Sequence, residues 1–135
     1  MKKRNPTICP VVYSLDIFGD KWSLVILRDI LLCGKNHFRE FLASEEKIAS
    51  NILSSRLKTL VNEGLLIKED DRTNKSATIY KPTKKALELL PMLFKLMHWG
   101  ITYNPNVDTT STVMKELMNN PKKLHQRIVE KFNSA

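Results

Sequence analysis

Asn51, Ser54, Ser55 and Lys58 recur at helical intervals, interleaved with Leu53, Leu57, Leu60 and Val61. At about 100° per residue the apolar four share one stripe of a helix, and the polar four point the other way. Short polar side chains with one cation let a helix backbone approach the floor of a DNA major groove. There Asn pairs with adenine, and Ser meets either a donor or an acceptor. Ser50 stands near the helix start, where it either caps the helix or meets a phosphate. Lys47 precedes the helix and suits a phosphate contact. Arg56 falls at the edge of the apolar stripe, which leaves an internal ion pair and a phosphate contact equally open. Arg72 and Lys75 lie in a polar run from Asp70 to Ser76, from which they could reach a minor groove or its phosphates.

Cys9 is the other residue with chemistry to offer. It precedes Pro10, which suits a first helical turn, and follows Lys2, Lys3 and Arg4. A helix N-terminus and nearby cations favour the thiolate, the form that meets oxidants and electrophiles. Cys33, at the end of an apolar helix, reads as buried and structural. Two cysteines are too few for a disulfide framework, and their spacing fits no zinc pattern. His37, His98 and His125 lie far apart, without thiols or paired carboxylates at ligand spacing, so no metal is expected. No cofactor is expected either: there is no glycine-rich phosphate loop, and the chain has only 4 Gly. A thiol enzyme built on Cys9 would need a base, and no His lies near it in sequence. The chain therefore reads as a non-enzyme.

These residues need elements to position them. Pro10 to Phe18 has apolar residues at helical spacing, and Gly19 ends the run. Asp20 caps a second helix through Leu32, and Phe38, Phe41 and Leu42 mark a compact third. The Leu53–Val61 helix stops at Gly64. Leu65–Glu69 and Ala77–Lys81 then read as two strands of a hairpin with an exposed, flexible tip. Thr83 caps a long helix that Pro91 kinks or splits. Asn104 to Thr112 is a linker, and two shorter helices separated by Asn120-Pro121 finish the chain. The expected fold is mainly α with a small β-hairpin (α+β), a winged helix-turn-helix.

The 135 residues carry a net charge of +8, which favours phosphate backbones or anionic surfaces without deciding between them. No apolar run approaches the roughly 20 residues of a membrane span, so no membrane partner is expected. The basic start lacks the apolar core of a secretory signal, and a cytoplasmic location is expected.

In order and spacing the chain resembles the HxlR family of winged-helix regulators, relatives of the MarR-type group. The resemblance rests on Cys9-Pro10-Val11, Gly19-Asp20-Lys21-Trp22, Ile26-Leu27-Arg28 and Phe38-Arg39-Glu40-Phe41. It continues through Leu53-Ser54-Ser55-Arg56-Leu57-Lys58, Leu60, Glu63-Gly64-Leu65, Tyr80, Thr83, and Leu90-Pro91 to Trp99-Gly100. It implies a homodimeric transcriptional regulator, read as a repressor, that binds double-stranded DNA at a partly palindromic operator. Residues Ser50 to Lys58 become the recognition helix and Arg72 to Lys75 the wing tip. The terminal helices become the dimer surface, with Val12, Leu15, Phe94, Met97, Trp99 and Ile101 as its candidates. In some members a cysteine at the position of Cys9 senses oxidants or electrophiles, which makes such a compound the candidate effector. Residues 1–103 then form the DNA-binding domain with its dimer helices, and 104–135 a linker and basic tail.

Four departures stand out: His37 in place of Arg, Ala49 in place of a capping Ser or Thr, Pro82 before Thr83, and a longer tail. That tail carries Lys115, Lys122, Lys123, Arg127 and Lys131 against Glu116 and Glu130, a charge balance suited to a solvated face or to added phosphate contacts. The competing reading is a winged-helix protein-interaction module without specific DNA readout.

Overall fold

The structure, a computed structural model, describes residues 6–74 and 77–133. Lys2, Lys3, Arg4 and Lys75, invoked above, lie outside the described residues. In chain order the elements are α1 (Pro10–Phe18), α2 (Lys21–Leu32), α3 (Phe38–Leu42), α4 (Ser50–Asn62), β1 (Leu66–Asp70) and β2 (Thr78–Pro82). They continue as α5 (Lys84–Leu87), α6 (Leu90–Tyr103), α7 (Thr112–Asn119) and α8 (Pro121–Asn133). This is the mainly helical fold with a two-stranded antiparallel wing that the spacing anticipates.

The local signals act as their chemistry requires. Pro10 takes the first turn of α1, where its missing N–H costs nothing. The Asp20 carboxylate accepts from the Ser23 N–H at 3.0 Å and from the Ser23 hydroxyl at 2.6 Å, which caps α2. Gly64 sits at φ +76, a left-handed conformation that ends α4 and turns the chain into β1. The strands pair Leu66 with Pro82 and Asp70 with Thr78, one residue later than periodicity suggests on each side. Pro91 splits the expected long helix: α5 ends at Leu87, and Pro91 falls in the first turn of α6.

The chain forms two compact units, one ending at Ala86 and the other beginning at Leu87. In the first, Ile26, Leu27 and Ile30 of α2, Phe41 of α3, and Leu53, Leu57 and Leu60 of α4 are buried. Each fully buried Leu contributes about 1.5–3 kcal/mol relative to exposure. In the second, Leu90, Leu93 and Phe94 of α6, Leu117 of α7, and Leu124 and Ile128 of α8 are buried. No helix among the described residues is long and apolar enough to cross a membrane.

Two sequence expectations need correction. Cys33 is exposed rather than buried, because α2 ends at Leu32 and Gly34, at φ +69, redirects the chain. Local desolvation, with Asp29 nearby, still pushes its thiol pKa up. His98 and His125 are also not far apart: both line one cavity in the second unit.

Candidate nucleic-acid interface

The turn that precedes α4 is held by a polar cluster. Asp29 is only 1% exposed, in a helix that also buries Ile26, Leu27, Ile30 and Leu31. Its carboxylate accepts from Arg28 Nη2 at 2.7 Å and from the Ser44 hydroxyl at 2.6 Å. Lys35 Nζ donates to Ser44 Oγ at 2.7 Å and stands 3.8 Å from Asp29. Arg28 also grips Glu46 with both Nη atoms, at 3.1 and 2.9 Å. The guanidinium holds the Glu46 carboxyl down at about 2, and Glu46 in turn raises Arg28. Two carboxylates and two cations thus balance, and a buried charge with its partners in place is strongly held. The cluster ties the α3–α4 turn to α2.

That turn contains a strained residue. Lys47 has φ +56, in the left-handed region that side chains with a Cβ rarely adopt. Its N–H donates to the Ser44 carbonyl at 3.0 Å, which closes the turn, and its side chain is exposed. Ala49 is the N-cap of α4 and offers no side-chain bond. Ser50 does not take over that role; it is the first residue of the helix and is exposed.

Leu53, Leu57 and Leu60 are buried, and Asn51, Ser54, Ser55 and Lys58 are all exposed, as the spacing requires. Arg56 is different: its Nε lies 3.2 Å from the Asp20 carboxylate, though the N–H is not aligned as a hydrogen bond. Asp20 therefore joins the cap of α2 to the flank of α4. Ser54, Lys58, Lys68 and Tyr80 line a depression of about 480 Å³ beside the wing. Lys68, on β1 and exposed, is a cation the sequence reading passed over.

The wing is anchored. His37 Nε2 lies 2.7 Å from Asp71 Oδ2 and Nδ1 lies 3.1 Å from Glu40 Oε1. Glu40 also accepts the N–H groups of Asn36 and His37, both at 3.0 Å. Tyr80 N–H donates to the Asn36 carbonyl at 2.9 Å. The Asp71 bond, then the Glu40 bond, raises the His37 pKa, and hydrogen bonds from Thr73 and His37 hold Asp71 at about 2. The anchor at Asp71 is polar and joins residues far apart in sequence, and Arg72, next along the tip, is exposed.

Cys9 is half-buried at the N-cap of α1. The helix it opens exposes Val11, Val12, Tyr13 and Leu15 and buries only Ile17. On α6 the exposed apolar row is Met92, Leu96, Trp99 and Tyr103, the last three at 52%, 66% and 69%. Of the residues expected at a dimer surface, Val12, Leu15 and Trp99 are exposed, while Met97 and Ile101 are half-buried. Phe94 is buried, edge-on to His125 with ring centres 6.4 Å apart. Met92, Leu96 and Tyr103 were missed, although their spacing with Trp99 is helical.

Residues 17–108 match the family described as HxlR-like helix-turn-helix. The chain belongs to this family. It is 30% identical to the HTH-type transcriptional regulator YdeP of Bacillus subtilis (strain 168), over 79% of this chain and 83% of that protein. The crystal structure of PA1607 is 36% identical, with a TM-score of 0.68 over 76% of this chain and 71% of that one. The redox regulator HypR in its oxidized form is 27% identical, with a TM-score of 0.63 over 74% of this chain and 99% of its own. The HxlR-type match ends before α7, so α7 and α8 lie beyond the matched span.

Proposed function

We propose that this HxlR-type transcriptional regulator binds double-stranded DNA as a homodimer at a partly palindromic operator and acts as a repressor. The supporting observation is α4: its apolar stripe is buried, its short polar face is open, and a buried ionic cluster fixes the turn before it. Asn51, Ser54, Ser55 and Lys58 read bases in the major groove. Lys47, Ser50 and Lys68 meet phosphates, Arg56 positions α4 through Asp20, and Arg72 with Lys75 works at the minor groove. Exposed apolar rows on α1 and α6 favour a dimer, with recognition helices about one DNA turn, roughly 34 Å, apart.

Cys9 is assigned a redox role, supported by its half-buried position at the N-cap of α1 and by the similarity to HypR. Two Cys9 thiols of a dimer and one organic hydroperoxide give a disulfide, an alcohol and water. Cys33, its thiol pKa raised, is not assigned this chemistry.

A salt titration on the DNA upstream of the protein's own gene, against random DNA of equal length, tests the reading. Affinity for both should fall steeply with salt while the preference for the specific fragment persists. A vanished preference on that and every other genomic fragment would leave the protein-interaction module. Under hydroperoxide, wild type should lose operator affinity and Cys9→Ser should keep it; equal behaviour would remove the redox role.

A further inference from the structure

The second unit holds a cavity for which the DNA-facing surface has no use. Its volume is about 500 Å³, and Pro91, Phe94, Leu117 and Pro121 supply apolar wall. Lys95 and Lys122 line it too, together with His98 and His125. No aspartate or glutamate lines it, and among the described residues neither lysine is paired with a carboxylate.

Helix α6 keeps this cavity separate from its exposed apolar row. Pro91, Lys95 and His98 follow one another at helical spacing along one flank. At about 100° per residue that flank is turned a little over a quarter of a turn from the Met92–Leu96–Trp99–Tyr103 row. The opposite wall comes from α7 and α8, which lie beyond the family match ending at residue 108. The longer tail therefore builds a concavity, rather than merely extending the chain.

We propose that this cavity binds a small amphipathic anion: a flat aromatic body bearing a single carboxylate. The volume lies inside the range of about 300–1,000 Å³ of small-molecule sites, which are apolar with a few polar groups that fix orientation. The Phe94 ring, held edge-on by His125, and Leu117 suit a flat hydrocarbon. Two lysines in a lining that includes no acid favour a carboxylate over a neutral or cationic ligand of the same shape. An inorganic phosphate would leave the apolar walls uncovered, so a purely polar anion does not fit. This binding stands independently of the DNA reading.

The test uses the full chain, with 2-naphthoate as probe and 2-naphthamide as its neutral counterpart, in titration calorimetry. Wild type should bind naphthoate saturably and prefer it to the amide by at least about tenfold. The Lys95→Gln/Lys122→Gln variant should lose that preference while amide binding stays within about twofold, since both lysines are exposed and glutamine keeps the first methylenes of each stem. His98→Trp should weaken both probes by filling the cavity. In wild type the His98 and His125 ring resonances should shift during the titration, which locates the ligand even if the Trp variant does not fold. Absence of saturable binding, equal affinity of both probes for wild type, an unchanged preference in the double variant, or shifts confined to other residues would each overturn the proposal.

Discussion

Replacing Lys47 by glycine should make the protein more stable and a poorer DNA binder at once. The left-handed conformation costs a residue with a Cβ roughly 1–2 kcal/mol, a cost glycine avoids. Glycine loses more freedom on folding, which takes back roughly 0.5–1 kcal/mol. The N–H bond from residue 47 to Ser44 survives the change. A net gain of about 0.5–1 kcal/mol follows, readable as a higher urea midpoint at unchanged slope. If Lys47 meets a phosphate, its loss removes about 0.9 from the salt slope, or roughly fivefold in affinity near 0.15 M salt. Lys47→Asn separates the two effects: asparagine tolerates the left-handed region better than lysine, yet carries no charge. It should match the glycine variant in DNA affinity. A glycine variant no more stable than wild type would refute the strain argument. An unchanged salt slope in both variants would refute the phosphate contact.

Asn51→Ala should relax discrimination at one base position by about 1–3 kcal/mol; a uniform loss across operator variants would move Asn51 to the DNA backbone. Ser44→Ala should destabilise by about 1–3 kcal/mol in urea, because it strips a hydrogen bond from the buried Asp29 and a partner from Lys35. His37, bonded to Asp71 and Glu40, has its pKa raised above 6.5, so its bonds stabilise fully below that pH. The contribution fades as pH rises through the higher folded value, and the protection of the Thr73 and Asn74 amides, relative to their intrinsic exchange rates at each pH, should fall over that window in wild type but not in His37→Asn. Leu96→Asp should split a dimer into folded monomers by sedimentation, whereas Phe94→Ala should cost about 3–5 kcal/mol of stability because Phe94 lies in the core. Monomers that stay associated after Leu96→Asp would place the interface elsewhere.

Most of the elements were legible because each is announced by its own neighbours. Pro10, Asp20, Gly64 and Pro91 act on the backbone within one turn of themselves, so their effect is readable without knowledge of the fold. The stripe Leu53, Leu57 and Leu60 is legible for the same reason, and with it the outward set from Asn51 to Lys58. What escaped depends on partners distant in sequence. The His37 to Asp71 bond joins residues on either side of α4, and nothing near either position announces it. On α6 two apolar rows overlap in the sequence, and only burial tells the inner row, with Phe94, from the outer one, with Leu96. One signal was present and unused: an aspartate inside the apolar α2 is costly unless charged partners reach it.

The same dependence on distant partners decides which cations near α4 are committed to the protein itself. Lys47, Arg28, Arg56 and Lys58 look alike as charges, yet they have different work. Arg28 is committed to Asp29 and Glu46, and Arg56 to the carboxylate that also caps α2. Both hold α4 in place, so their loss should act on affinity through the angle of the helix, with little change in the number of phosphates met. Lys47 and Lys58 are exposed, and their loss should act through charge. The slope of affinity against salt distinguishes the two groups even where the affinities fall equally, since only a lost phosphate contact reduces the ions released.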